Sequence, residues 1–176
     1  MIKYLINIKK IVFRRFLWLL HPVKINKPLE GVSKIGIYNF SFIPNNFLNS
    51  DSIIYSFGAG EDIHWDIEII RNYDCKIHIF DPTPKSSKHF NHLKNNTSKG
   101  KLFHSPALNL PYNATKEIVG KISFYDYALY SKDENVKFYE PKKSEDVSHS
   151  ITNEQGTEEY INVEAKKLST IMLQLN

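Results

Sequence analysis

The chain has 176 residues and a mass of 20.5 kDa, with 41% hydrophobic and 24% charged residues, which fits one globular domain with a real core and excludes a fibrous or disordered chain. Its net charge of +4 is concentrated at one end, where Lys3, Lys9, Lys10, Arg14 and Arg15 supply +5 within the first twenty residues and no acid stands. Subtracting these five leaves about −1 for the remainder, so the body of the chain offers no basic surface to a nucleic acid.

Residues 1–22 read as a basic amphipathic helix closed by His21-Pro22. Lys3, Asn7, Lys10 and Arg14 share one stripe, and Leu5, Ile8, Val12, Phe16 and Leu19 share another. Charges interrupt residues 2–20 too often for a membrane span or a signal peptide. Three readings stay open: peripheral contact with an anionic membrane, docking on a partner, or a helix packed on its own domain. Residues 23–51, with Pro28, Gly31 and Pro44, read as a connector with a short strand near Lys34–Tyr38. The single cysteine, Cys75, forbids an internal disulfide and suits a reducing, cytoplasmic compartment.

The domain proper spans 52–176 and opens with the most informative stretch. Ser52–Phe57 is an apolar run of β-formers, broken by Gly58-Ala59-Gly60. Ile63, Ile67, Ile70 and Tyr73 recur at helical spacing, and Lys76–Phe80 restores a strand that ends at Asp81. Two strands joined by one helix are expected to run parallel, with ligands held beyond their carboxyl ends, where Gly58, Gly60 and Asp81 all fall.

Glycines at such a turn admit a ligand close to the backbone, and a carboxylate about 20 residues later suits the two hydroxyls of a ribose. A dinucleotide fingerprint needs Gly or Ala at position 63, where Ile63 stands. Glu61 and Asp62 place negative charge at the helix N-terminus, repelling phosphate and suiting a cationic ligand. Ribose, ammonium, sulfonium and no phosphate describe S-adenosylmethionine, which is favoured over NAD.

Further along, Thr83 and Pro84 suit the N-cap and first position of a helix from 84 to about 95. His89 and His92, one turn apart on it, read as a solvated face, with zinc held together with His104 as the competing reading. Residues 98–120 read as a long loop bearing a short helix. Ile122–Tyr130 and Val136–Tyr139 flank a polar break and read as a hairpin. His149, in Ser148-His149-Ser150, is a candidate general base, with a plain loop histidine as the alternative. Tyr160–Ala165 reads as a last strand and Leu168–Leu175 as a helix.

YSFGAGEDIHWD followed by HIFDPTPKS resembles the nucleotide-binding half of the FkbM-type methyltransferases, and YDYALYSKDENVKFYEP, SHSI and INVEAKKLSTIM resemble later stretches in the same order. The resemblance covers roughly residues 33–176. It implies a Rossmann-like α/β fold with a mostly parallel sheet, S-adenosylmethionine as cofactor, and methylation of a hydroxyl on a small molecule or glycan. It also places Asp126, Tyr127 and Ala128 near the adenine. Members of the family continue into a strand with a Lys-Ile-Asp-x-Glu-Gly-like motif beside the first one. The expectation is therefore an incomplete sheet with Ser52–Phe57 at an open edge. A shortened, catalytically silent relative that serves as a binding module is the alternative to an enzyme.

Overall fold

The computed structural model describes residues 30–36, 41–142 and 148–175. The expected helix over 1–22, the start of the connector through residue 29, and the end of its short strand at 37–38 lie outside the described residues. Contacts divide the chain into Met1–Val32 and Ser33–Asn176, and the sites described below all lie in the second unit. The architecture is mixed α/β. Strands β1 (Val32–Ile35) and β2 (Ser41–Pro44) form a two-stranded sheet. Strands β3 (Ile53–Phe57), β4 (Lys76–Phe80) and β5 (Ile122–Tyr125) form a parallel sheet in that order, with Tyr55 opposite His78 and Phe80 opposite Tyr125. Among the described residues β3 pairs on one side only.

Alternation along these strands builds two different faces. Ile54, Ile77, Ile79, Ile122 and Phe124 join the main core with helix α1 (His64–Tyr73) and helix α2 (Pro84–Ser98). Ile63, Ile67 and Ile70 are buried as their spacing requires, and Ile69 joins them. α1 stops where Asp74 adopts a left-handed φ of 57° and returns its N–H to the Ile70 carbonyl, a common helix ending. The opposite face is aromatic. Tyr55, Phe57 and Tyr125 all stack on Phe80, with centroids 4.9–5.9 Å apart. Helix α4 (Leu168–Leu175) covers part of this face through Ile171 and Leu175.

The remaining elements follow expectation in part. A short helix α3 (Lys116–Gly120) does interrupt the long loop, capped by Thr115, whose hydroxyl accepts from the Ile118 N–H at 3.2 Å. The expected hairpin is absent. Tyr125 ends β5, and the chain bends into β6 (Ala128–Leu129) before β7 (Glu134–Tyr139). These two strands do not pair; β8 (Tyr160–Lys166) lies between them, parallel to β6 and antiparallel to β7. Local alternation reports strands but not partners, and here a distant strand supplies the ladder. His89 also corrects the solvated-face reading. It is 4% exposed, in line with buried Ser86, Phe90 and Leu93, whereas His92 is exposed. Among the described residues no helix is long and apolar enough to cross a membrane.

The central strand anchors the core. Ile79→Ala, at a site with no exposure, is expected to cost about 2–4 kcal/mol of unfolding free energy. Leu173→Ala, at 83% exposure, is expected to cost under about 0.5 kcal/mol, both read by urea denaturation.

Candidate functional site

The site is built from the ends of β3 and β4. Gly58 and Gly60 hold φ of 84° and 53°, values that L-residues with a Cβ rarely adopt. A Cβ placed on Gly58 meets nothing within 4 Å, so conformation and not crowding demands glycine there. The turn leaves backbone N–H groups pointing inward, and Asp81 answers them. Its Oδ2 accepts from Ala59 N–H at 2.9 Å and Gly60 N–H at 2.8 Å. Its Oδ1 accepts from Thr83 N–H at 2.9 Å and from the Thr83 hydroxyl at 2.6 Å. Thr83 therefore does not cap α2 with its side chain; the hydroxyl is spent on Asp81. Asp81 is 5% exposed, and its four hydrogen bonds fill the acceptor positions of a carboxylate.

In front of this clamp lies a cavity of about 480 Å³. Its floor is Phe57 and Phe80 beside the turn residues 58–60, with Asp81, Pro82 and Thr83. Ala128 and Leu129 of β6, Phe138 of β7, and Ser148, His149 and Ile151 close the other side. The structure thus gathers Gly58, Gly60, Asp81, Ala128 and His149 around one space, with the His149 ring stacked on Phe138 at 5.7 Å. Glu61, Asp62 and Tyr127 do not line it. Tyr127 is 7% exposed within the aromatic cluster, with the Lys166 ammonium 4.3 Å above its ring. Sequence reading did not single out Phe57, Phe80, Thr83, Leu129, Phe138 or Ile151 as lining residues. For Phe57 and Phe80 the signal was available, since they are the last residues of the strands that flank the turn.

Asp62 faces the other side of the turn, in a network of its own. Its Oδ1 accepts from His64 Nδ1 at 2.5 Å and from the Tyr112 hydroxyl at 3.3 Å. Tyr112 also accepts from Ile63 N–H at 3.1 Å and lies 3.0 Å from His89 Nε2. Burial pushes His89 down to about 4, so its ring is neutral, and it pushes the Tyr112 hydroxyl upward. Among the described residues no group of His, Cys, Asp and Glu could hold a metal ion.

Asp66, in the first turn of α1, is 5% exposed and its Oδ1 lacks a partner. Burial raises its pKa to about 6, against the pull of a hydrogen bond with Ser56. Asp62 and Asp66 together keep the N-terminus of α1 occupied by the chain's own carboxylates.

Comparison of the chain with protein-family models, with curated proteins and with solved structures finds no match. The functional reading therefore rests on this geometry.

Two outcomes follow from it. Asp81→Asn puts amide hydrogens against backbone donors, with an expected loss of about 2–4 kcal/mol in thermal unfolding, while Thr83→Val, which removes one bond, loses about 1–2 kcal/mol. For Asp66 the folded-state pKa lies above the ordinary 3.8, so its contribution declines as pH rises from about 4 through about 6. The stability difference between Asp66→Asn and wild type is expected to move in the variant's favour by up to about 3 kcal/mol across that span. A difference that stays constant with pH contradicts a buried, proton-holding Asp66.

Proposed function

We propose that the cavity binds S-adenosylmethionine and that the chain is an FkbM-type methyltransferase with a Rossmann-like sheet, acting on a hydroxyl of a small molecule or glycan in the cytoplasm. The observation that carries this reading is the juxtaposition of Asp81 with the glycine turn, at 2.8–2.9 Å, beyond the ends of two parallel strands. The cavity's size lies within the range of small-molecule sites. Phe57, Phe80, Leu129 and Phe138 give it apolar walls suited to a purine, and Asp62 and Asp66 leave no place for a phosphate at the start of α1.

The fit of a ribose turns on Thr83. Its hydroxyl already donates to Asp81 Oδ1 at 2.6 Å, the bond a ribose hydroxyl makes to such a carboxylate, so rotation of that side chain is needed to admit the sugar. When bound, the cofactor supplies an activated methyl group. The chain contributes alignment of an in-line transfer, and His149 across the cavity is the group proposed to take the acceptor's hydroxyl proton.

The saturation of Asp81 favours a second reading, a catalytically silent relative whose carboxylate only braces the turn. Calorimetry with S-adenosylhomocysteine separates the two. The enzyme reading expects a Kd of about 10 μM, lost in Ala128→Phe, which fills the wall of the cavity without touching Asp81. No heat of binding at about 1 mM ligand with folded wild-type protein leaves the silent relative.

A further inference from the structure

The ring of His64 has an acceptor at each end. Nδ1 lies 2.5 Å from the Asp62 carboxylate, and Nε2 lies 3.3 Å from the carbonyl oxygen of Pro111. A neutral imidazole has one N–H and cannot donate to both; only the doubly protonated ring can. Pro111 belongs to the segment of residues 99–115 between α2 and α3. Three further contacts bind this segment to the glycine turn. The Tyr112 ring stacks on His64 with centroids 4.1 Å apart, its hydroxyl accepts from Ile63 N–H, and the Ser105 hydroxyl donates to the Glu61 carbonyl at 3.0 Å.

We propose that His64 is a proton-operated latch: the imidazolium bridges Asp62 and the Pro111 carbonyl and so fastens residues 99–115 to the glycine turn, and loss of one proton releases the Pro111 end. With the ring neutral and its remaining N–H held by Asp62, the lone pair of Nε2 faces the lone pairs of the Pro111 oxygen. That contact then turns from attraction to repulsion. The titratable groups facing the ring are Asp62 in the turn, Tyr112 in the segment and His89 of α2. Asp62 stabilises the cationic ring, and neutral His89 does not oppose it. The latch acts on the back of the turn whose front lines the cavity, and it stands whether or not the cavity takes a nucleoside.

The segment carries its own reporters. Ser105 N–H donates to the Leu110 carbonyl, Asn109 N–H to the Ser105 carbonyl, and Tyr112 N–H to the Phe103 carbonyl, at 2.8–2.9 Å. Amide hydrogen exchange at these three positions, referenced to unstructured peptide rates at each pH, is measured by NMR from about pH 6.5 to about pH 9. This span lies above the titrations of Asp66 and His89. Wild type is expected to lose about ten-fold or more in protection across it. His64→Gln, which has no proton to lose, is expected to show low protection that does not change with pH. If that variant does not fold, Asp62→Asn, which removes the carboxylate at the ring's Nδ1, replaces it, with a profile that departs from that of wild type. Protection that stays level in wild type, or falls equally in His64→Gln, or an Asp62→Asn profile that coincides with wild type, overturns the latch.

Discussion

The Asp81 carboxylate is the contact on which the rest of the structure depends. A turn with two glycines at positive φ aims consecutive N–H groups into the protein, and buried donors of this kind cost about 1–3 kcal/mol each when left unpaired. One carboxylate at the end of the neighbouring strand satisfies Ala59 and Gly60 and, through its other oxygen, both donors of Thr83. The same four bonds therefore fix the exit of β3, the exit of β4 and the start of α2. Parallel pairing from Ile53↔Lys76 to Phe57↔Phe80 brings these pieces to one end of the sheet. The cavity is what remains between that end and strands β6 and β7.

The turn separates two chemistries. Its front is mostly apolar, with the clamp as the polar floor and His149 across from it. Its back is a polar network in which Asp62, His64, Tyr112 and His89 share hydrogen bonds, with the Tyr112 ring stacked on His64 and tilted against His89. The negative charge near the start of α1 is consequently not presented to the cavity, because Asp62 is held by His64 and Tyr112. Asp62 and Asp66 still stand at that helix terminus. Glu61 and Asp62, the residues expected to meet an ammonium group, are not among those that line the cavity.

What could be read from the sequence was local. Ile63, Ile67 and Ile70 at helical spacing, glycines after a β-run, and an acid ending the next strand mark β3, α1, β4 and the Asp81 corner. The buried stripe Ser86, His89, Phe90 and Leu93 was equally legible, had His89 been weighed by the helical period and not by its polarity. What escaped was set by partners distant in the chain. β8 lies between β6 and β7, so the alternation around Ile122–Tyr139 suggested a hairpin that does not exist. Asp62 is claimed by Tyr112, fifty positions away, and no local pattern encodes that. Tyr127 lies two residues past a strand end, where a one-residue difference in the bend decides between cavity and core, and packing on Phe80 takes it inward. Thr83 and Pro84 do open α2 at the N-cap and first position, as propensity suggested, but a carboxylate two residues earlier takes the Thr83 hydroxyl.

The most direct test of a nucleoside site framed by Asp81 is an NMR titration of the folded chain with S-adenosylhomocysteine, following backbone amides. The account predicts saturable shifts at Ala59, Gly60 and Thr83, the three amides bonded to Asp81, together with Ala128 across the cavity, as the Thr83 hydroxyl gives way to the sugar. Unmoved amides at those four positions in the presence of about 1 mM ligand, or shifts confined to another part of the molecule, contradict it.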